Sequence, residues 1–271
     1  MQYDPIKKML GRFFSGSLFM RKTFYSLLDL LLLRTWHVKR ALRNNSGQIG
    51  AEAVILDAGC GFGQYSWRMA RMNDKWKIVA LDIDKEHIDD CSSFFKKAGL
   101  SHRTSFRTAD LTMLTDHDCY DLILSVDVME HIEEDVRVFE NFYTALKNNG
   151  ILIISTPSDK GGSDVHNEHE ASFIGEHVRD GYSINDITQK LISAGFSNIE
   201  VLYTYGVPGS ISWRLSMKYP IKLLNISQLF FVLIPFWYLV FFPLSFLLNY
   251  ADLLITHKEG TGLLVTARKQ A

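Results

Sequence analysis

One stretch of the chain has residue types and spacing suited to holding an anionic ligand: VILDAGCGFGQYSWRMA, residues 54–70. In it Asp57 is followed by Gly59, Gly61 and Gly63. A strand that enters a glycine turn and then a helix exposes backbone N–H groups and the positive end of the helix dipole. A tight turn without a ligand is the alternative. The spacing departs from G-x-G-x-x-G, which counts against a nicotinamide-dependent oxidoreductase.

The elements that must position this loop alternate along the chain from Val54 onward. Short apolar runs such as KIVALDID, YDLILSVD and ILIISTP are separated by longer helical patterns such as KEHIDDCSSFFKKAG. Strands of continuous Val, Ile and Leu between helices are typical of a parallel sheet that is covered on both faces. The sequence therefore predicts an α/β fold, a doubly wound Rossmann-like sheet.

The motifs together resemble those of the class I S-adenosylmethionine-dependent methyltransferases. In that family an acid precedes G-x-G-x-G, and the next strand also ends in an acid, here Asp82. The resemblance covers residues 54–205 and resumes at 261–269. It implies S-adenosyl-L-methionine as the cofactor and a sheet of seven strands with the last one antiparallel. It also implies a methyltransferase domain formed by residues 48–205 and 261–271.

The resemblance assigns a part of the cofactor to each motif. The loop from Asp57 to Gly63 resembles the one that holds the methionine part, Asp82 the acid that accepts hydrogen bonds from both ribose hydroxyls, and Ile83 the residue against the adenine. Asp110 resembles the residue that meets the adenine amino group. An acid at a strand end is alternatively a helix N-cap. The full predicted set is Asp57, Gly59, Cys60, Gly61, Gly63, Asp82, Ile83, Asp110, Leu111 and Ser125.

A sulfonium methyl is already activated, so catalysis needs a nucleophile held in line, water excluded and, for a phenol, a proton removed. The candidates flank the fourth strand: Asp127, Glu130 and His131. In one interpretation Glu130 and His131 start a helix and orient the loop beside the cofactor. In a second, His131 is a general base. In a third, the three residues resemble the E-x-x-E-H metal cluster of quinone-biosynthesis O-methyltransferases and bind a divalent metal, although Asp127 replaces a Glu.

A further candidate segment follows the fifth strand, in residues 156–183. Loops at the carboxyl ends of parallel strands form the ligand crevice, so side chains here are expected to face substrate or cofactor. The block HVRDGYS resembles a segment that precedes the last core helix in methyltransferases of small and lipid substrates, and a solvated loop is the alternative. The full predicted catalytic set is His131, Asp127, Glu130, His177 and Tyr182.

An apolar run without charged residues occupies positions 223–251. It is long enough to span a bilayer, which takes about 20 residues. A single span contradicts the fold, because the predicted sixth and seventh strands on either side belong to one sheet, and Pro235 and Pro243 would break one continuous helix. We therefore predict a re-entrant or interfacial insertion, residues 206–260, beside the active site.

The N-terminal segment, residues 1–47, is predicted to be a basic amphipathic helical region. Residues 1–43 hold nine Lys or Arg and two Asp, a net +7, although the whole chain is close to neutral at -1. Apolar positions with cations between them are expected for a helix on anionic lipid, so both additions would form one surface on the cytoplasmic face. Asp29 and the lack of a cleavage site argue against a signal peptide. The alternatives are a soluble helical cap and a homodimer contact.

Composition excludes some classes of protein. The near-neutral charge argues against a general nucleic-acid binder, and three scattered cysteines suggest neither disulfides nor zinc and fit a reducing compartment. The sequence predicts an S-adenosylmethionine-dependent methyltransferase for a lipophilic small molecule, such as a phenol or quinone precursor, a polyene or another lipid, with oxygen as acceptor. A catalytically silent, membrane-bound scaffold that retains the cofactor pocket is the alternative, and a nicotinamide-dependent oxidoreductase is less favoured.

Overall fold

A computed structural model describes residues 17–161 and 178–270 of the chain, with backbone alone at residues 228 and 229. The strands are β1 Val54–Ala58, β2 Lys77–Asp82, β3 Thr104–Thr108, β4 Tyr120–Val126, β5 Leu146–Pro157, β6 Ser197–Thr204 and β7 Gly262–Arg268. The helices are α1 Leu18–Leu31, α2 Leu33–Ile49, α3 Gln64–Met72, α4 Lys85–Lys97, α5 Asp135–Ala145, α6 Ile184–Ser193, α7 Val207–Trp213, α8 Tyr219–Ile226 and α9 Ile234–Leu254.

The seven strands form one sheet in the order β3-β2-β1-β4-β5-β7-β6. β7 runs antiparallel to both of its neighbours, and the other paired strands are parallel. The predicted fold class, including the antiparallel last strand, is confirmed. The strand order reverses between β1 and β4, and in open α/β sheets ligands bind outside the carboxyl ends of the strands at such a point.

The sheet is covered on both faces, which explains why its central strands read as continuous apolar runs. On one face α5 and α6 contribute Val138, Phe142 and Leu191 to a buried core. On the other face α2, α3 and α4 contribute residues such as Leu42 and Phe95. This packing fixes the positions of the strand ends, and so of the loops that follow them.

The segment between β6 and β7 is a helical hairpin, residues 207–254. Its first arm consists of α7, a π-helical turn at Arg214–Lys218, and α8, and its second arm is α9. Side chains bond to the backbone of the opposite arm: Ser212 Oγ donates to the Ser245 carbonyl at 3.1 Å, and the Trp237 indole donates to the Leu215 carbonyl at 2.9 Å. Because β6 is parallel to β1, the hairpin leaves the sheet at the carboxyl edge, as its place in the sequence predicts.

The expectation that two prolines would break the apolar run holds at Pro235, where α9 begins after a 3-10 turn, but it is wrong at Pro243, because α9 continues as a helix from Ile234 to Leu254. Pro235 lies in the first turn, where a backbone N–H has no helical partner in any case. Pro243 lies inside α9 and removes one hydrogen bond without ending the helix. By length and composition α9 could cross a membrane, with a mean hydropathy of 1.4 and 11% of its most apolar window buried.

The N-terminal helices pack on the rest of the domain: α2 lies against the sheet, and α1 lies against α4 and the glycine loop. α2 ends at Ile49, two residues past the predicted boundary of this region, and buries Val38 and Leu42 against the sheet. α1 buries Arg21 and Tyr25. The part of the predicted amphipathic region in residues 1–16 lies outside the described residues.

Candidate functional site

The glycine loop begins directly after β1, and two of its glycines are required for different reasons. Gly59 has φ +82°, and a Cβ atom there would lie 2.2 Å from Cγ2 of Val128. Gly61 has φ +48°, but a Cβ atom there would meet nothing within 4 Å. Gly59 therefore allows close packing against the loop after β4, whereas the space beside Gly61 is open at the edge of the crevice.

Hydrogen bonds to the next strand hold this loop in place. The backbone N–H groups of Gly59 and Cys60 both donate to the Leu81 carbonyl at 2.9 Å. The N–H of Gly61 donates to a carboxylate oxygen of Asp82 at 2.7 Å. The Cys60 side chain is buried and adds no exposed polar group. The loop and the end of β2 thus form one unit at the centre of the carboxyl edge.

Asp57 is buried beneath the loop rather than on its open side. Its carboxylate accepts a hydrogen bond from Ser66 Oγ of α3 at 2.5 Å. Burial raises its pKa to about 7, although the hydrogen bonds from Ser66 favour the ionised form. In this position Asp57 connects β1 to α3 and shapes the loop from below.

The raised pKa of Asp57 predicts a stability that falls as pH rises. The unfolded chain loses this proton near pH 3.8 and the folded chain near 7, so between these values the folded state binds more protons. From about pH 5.5 to about pH 8 the free energy of unfolding should drop by about 2 kcal/mol through this group. Urea denaturation of the cofactor-free protein and of Asp57→Asn at both pH values measures it. Equal pH dependence in both proteins would contradict the assignment.

Asp82 ends β2 with its carboxylate at the edge of the crevice. One oxygen accepts from Gly61 N–H, and the other accepts from the backbone N–H of Asp84 at 2.9 Å. Burial alone would raise the pKa of Asp82. The nearby His87 ring, whose Nδ1 lies 3.9 Å from the carboxylate, and the hydrogen bonds from the backbone N–H groups of Asp84 and Gly61 outweigh burial and hold the pKa below its ordinary value. The N-cap of α4 is Asp84, whose side chain accepts from Glu86 N–H. The helix N-cap is therefore Asp84 and not Asp82. The ionised carboxylate of Asp82 is available to a ligand.

Ile83 and Asp110, the residues predicted to contact adenine, have different surroundings. Ile83 is 74% exposed beside Asp82, so it offers an apolar surface at the crevice. The Asp110 carboxylate accepts from the backbone N–H and the hydroxyl of Thr112, both at 2.8 Å, which is the helix-cap arrangement. Leu111 is buried in the core below α5. In this arrangement Asp110 caps a short 3-10 helix, and Leu111 presents no side chain to the crevice.

Ser125 carries a buried polar atom that the described residues do not satisfy. The residue lies near the end of β4 with 0% exposure, and its Oγ has no hydrogen-bond partner among them. Buried hydroxyls normally have a partner. The Ser125 Oγ without a partner, the open space beside Gly61 and the ionised Asp82 are features that fit a polar ligand such as S-adenosylmethionine.

The three candidate catalytic residues after β4 have different surroundings: they are Asp127, Glu130 and His131. Asp127 has φ +52° and forms an ion pair with Arg34 of α2. Glu130 is buried, and its carboxylate accepts a hydrogen bond from Thr156 Oγ1 at 3.2 Å. His131 is exposed. Among the residues that the structure describes, no three His, Cys, Asp or Glu side chains are grouped to hold a metal ion. The arrangement does not fit the predicted metal site.

Of the other two predicted catalytic residues, one is buried and one is not described. Tyr182 is fully buried, and its hydroxyl donates to Asp135 at 2.7 Å and accepts from Arg179 at 3.0 Å. Burial and the Asp135 carboxylate raise its pKa. A phenol in this position packs α6 against α5 and does not reach a substrate, so its predicted catalytic role does not fit the structure. His177 lies outside the described residues.

The structure brings to the site three residues that the sequence did not single out. From α1, Arg21 and Tyr25 both donate to the carbonyl of Phe62 in the glycine loop, the former at 2.8 Å. From α2, Arg34 reaches Asp127. The sequence signal is faint: Arg21 is a cation in a largely apolar helix, and its acidic partner Asp90 is 69 residues away. The N-terminal helices therefore order the cofactor loop directly.

A separate cavity of about 490 Å³ lies between α2, the outer strands β6 and β7, and the end of α9. Arg40, Asn44, Tyr203, Leu254 and Arg268 are among its lining residues. None of the lining residues belongs to the glycine loop or to the ends of β1, β2 and β4. This cavity is therefore distinct from the crevice at the carboxyl edge.

Comparison with known proteins agrees with the geometry. Residues 49–200, more than half of the chain, match the family model described as a methyltransferase domain. The ubiquinone biosynthesis O-methyltransferase of Rickettsia prowazekii is 27% identical over 124 residues, 46% of this chain and 47% of that protein. Phosphoethanolamine N-methyltransferase 1 of Zea mays is 29% identical over 147 residues, 54% of this chain and 28% of that protein. The matches thus span less than half the length of these curated relatives.

The fold also matches solved structures. Phosphoethanolamine N-methyltransferase 2 of Haemonchus contortus, in complex with S-adenosyl-L-methionine, aligns with a TM-score of 0.62 and 19% identity, over 87% of this chain and 53% of that one. At this identity the likeness concerns the fold alone. Together with the match to the family model and the glycine loop followed by Asp82, it leads to one conclusion: the chain belongs to the methyltransferase domain family, the class I S-adenosylmethionine-dependent methyltransferases.

Proposed function

We propose that the chain methylates a lipophilic small molecule at a membrane surface, with S-adenosyl-L-methionine as methyl donor and oxygen as the acceptor atom. One observation carries the proposal: a hairpin with an apolar outer surface rises from the same sheet edge as the glycine loop. When bound, the cofactor supplies an activated methyl group. The chain has to bind the cofactor, orient the acceptor and exclude water.

Different residues at the carboxyl edge of the sheet would bind the cofactor and activate the acceptor. The glycine loop offers open space beside Gly61, and Asp82 offers an ionised acceptor for ribose hydroxyls, with Ile83 as the apolar surface beside it. Ser125 Oγ adds a polar group that has no hydrogen-bond partner within residues 17–161 and 178–270. A phenolic acceptor must lose a proton, and His131, exposed after β4, is the candidate base. Glu130 is buried behind it and orients the loop.

The base of the hairpin contacts the candidate site. The backbone N–H of Arg34 donates to the hydroxyl of Tyr205 at 2.9 Å, and Tyr205 lies between β6 and the hairpin. The Arg34 guanidinium pairs with Asp127 after β4. An acceptor molecule bound at the hairpin would thus lie close to the end of β4. This short path supports an acceptor that enters from a lipid phase.

The hairpin is polar inside and apolar outside, the reverse of a soluble helical pair. All three buried residues of α9 are polar: Ser245, Asn249 and Asp252. On the first arm the buried set is Gly209, Ser212, Ser216 and Pro220. The exposed apolar residues of α9 are Phe236, Leu239, Val240, Leu244, Phe246, Leu247, Tyr250 and Leu254.

Small and polar residues at helix contacts, with large apolar residues outside, are typical of helices that pack in lipid. A soluble cap would bury its apolar stripe instead. The pattern of the hairpin therefore favours contact with a membrane over a soluble cap or a homodimer contact.

We propose a division of the chain into three regions. Residues 1–47 and 206–260 contact the membrane, and residues 48–205 with 261–271 form the catalytic domain. The protein would be monotopic on the cytoplasmic face.

The curated relatives support a small-molecule acceptor and differ in its reacting atom. Those in ubiquinone biosynthesis are named as O-methyltransferases, and the one from maize is named as an N-methyltransferase of phosphoethanolamine. The apolar hairpin favours the lipophilic class over a charged, water-soluble amine. A phenol or quinone precursor therefore fits this chain better than a soluble phosphate ester.

The test is transfer of label from methyl-labelled S-adenosylmethionine into the organic-soluble fraction of a membrane extract. Label in a discrete lipid is expected with the unchanged protein and not with Asp82→Ala, because the variant lacks the ribose acceptor. Label confined to water-soluble products would overturn the lipophilic acceptor. Cofactor binding without transfer to either fraction would favour a catalytically silent scaffold.

A further inference from the structure

Three cations repeat every fourth residue along the first arm of the hairpin: Arg214, Lys218 and Lys222. Residues four apart lie on one side of a helix. The buried contact with α9 runs through Gly209, Ser212 and Ser216 instead. Arg214 and Lys222 are exposed and Lys218 is half-buried. The first arm thus presents a row of positive charge away from α9.

The opposite surface of the hairpin is apolar. Asp252 is the single charged residue of α9, and it is fully buried. Leu239 and Leu254, near the two ends of α9, are 75% and 62% exposed. The three cations of the hairpin therefore lie on the first arm, which also exposes Val207 and Ile226, whereas α9 exposes no charged side chain, so the charge changes from one arm to the other.

The position of the cations on one arm determines which orientation of the hairpin a bilayer allows. Lys222 lies 15 positions after Val207, about 22 Å along a helix. In a hairpin that stood upright in the membrane, the three cations would enter the hydrocarbon, which is costly for each of them. In a hairpin that lay flat, α9 would enter the acyl region and the cations would stay among the headgroups.

We propose that the hairpin lies parallel to the membrane plane and that Arg214, Lys218 and Lys222 bind the phosphate groups of anionic phospholipids. α9 is buried in the acyl chains of the same leaflet. This inference rests on the proposed membrane-bound function and adds the lipid charge and the orientation to it. Of the predicted alternatives, it selects the interfacial insertion over the re-entrant one.

The first experiment is sedimentation of the full chain with vesicles of phosphatidylcholine, alone or with about 30% phosphatidylglycerol. A basic residue near an anionic surface contributes about 1 kcal/mol, or about fivefold in affinity. The unchanged protein should bind the anionic vesicles at least about tenfold more tightly. The triple variant Arg214→Gln, Lys218→Gln, Lys222→Gln should reduce this preference by about tenfold or more, should retain the part that the basic N-terminal segment contributes, and should keep its binding to neutral vesicles. A triple variant with the full preference would overturn the assignment of the headgroup contact to this row.

A matched control replaces three exposed lysines elsewhere: Lys75→Gln, Lys85→Gln and Lys97→Gln. It removes the same charge and should keep the preference. Equal binding of the unchanged protein to both vesicle types would overturn the headgroup assignment. Binding to neither type, in protein that still binds S-adenosylhomocysteine, would overturn membrane association itself. A preference lost equally in both triple variants would show net charge, and not this row, as its cause.

The second experiment measures orientation with spin labels at Leu239→Cys and Leu254→Cys, each in a Cys119→Ser background because Cys119 is the exposed cysteine of the chain. The two positions are 15 residues apart, about 22 Å along α9. A flat hairpin places both labels at about the same depth in the bilayer. Depths that differ by most of the helix length would overturn the flat orientation.

Discussion

Replacing Asp82 by asparagine is expected to weaken the binding of S-adenosylmethionine by roughly 30- to 150-fold, or about 2 to 3 kcal/mol, a change that charge-assisted hydrogen bonds can account for. In the structure Asp82 is held ionised by His87 and by two backbone N–H groups. Its carboxylate is therefore ready to accept hydrogen bonds from both ribose hydroxyls. The amide removes the charge and one acceptor while keeping the shape. Isothermal titration with S-adenosylhomocysteine measures the loss.

Asp84→Asn is the matched control, since Asp84 is two residues away and caps α4. It removes a charge from the same loop but leaves the ribose acceptor in place, so cofactor affinity should change little. Circular dichroism of both variants checks that the fold is retained. Unchanged affinity in folded Asp82→Asn would remove Asp82 from the cofactor site and would leave the glycine loop alone to support the assignment.

Replacing Asp252 by alanine is expected to lower the free energy of unfolding by about 3 to 5 kcal/mol, as breaking a buried ionic network does. Its carboxylate is fully buried and accepts from His37 at 3.0 Å, from His257 at 3.1 Å and from the backbone N–H of Gly209 at 3.0 Å. These donors come from α2, from the loop before β7 and from α7. The variant removes this partner from His37 and from the N–H of Gly209, whereas His257 Nε2 keeps its contact with the backbone carbonyl of residue 252 at 3.0 Å. The loss loosens the hairpin from the sheet.

Urea denaturation of the full chain in mild detergent measures this effect, with limited proteolysis to report whether the hairpin opens first. Asn249→Leu is the matched control, nearly one turn earlier on the buried side of α9. The Oδ1 atom of Asn249 has no hydrogen-bond partner among the described residues, so its removal should cost far less. If both variants lost the same stability, general disturbance of α9 and not the Asp252 network would be the cause.

The sequence alone predicted Asp82 as a functional residue, but it did not identify Asp252 as a structural one. Asp82 stands at the end of an apolar run, 25 residues after Asp57, in an order that already resembled a cofactor site. Asp252 is an isolated acid at the end of an apolar run, and two of its partners, Gly209 and His37, are 43 and 215 residues away. Local pattern identifies the first, whereas the second depends on contacts between distant segments.

The candidate catalytic residues show the same division. Asp127, Glu130 and His131 are close in sequence and suggested one cluster, but the structure turns them toward Arg34, toward Thr156 and toward solvent. The backbone at Asp127 has φ +52°, and no local sequence pattern revealed it. The direction of a side chain after a strand depends on such a dihedral angle and on neighbours from other elements, so spacing alone could not predict it.

What the sequence determined by itself was the order of strands and helices, the glycine loop with Asp82, and the existence of an apolar insertion. Each follows from local chemistry: alternating patterns, backbone freedom at glycine and the length of an apolar run. The tertiary structure decided that Arg21 and Tyr25 hold the loop, that Tyr182 is buried, and that the hairpin is polar inside and apolar outside. These features arise from packing between segments far apart in the chain, where burial and partners, not residue type, fix what a side chain does.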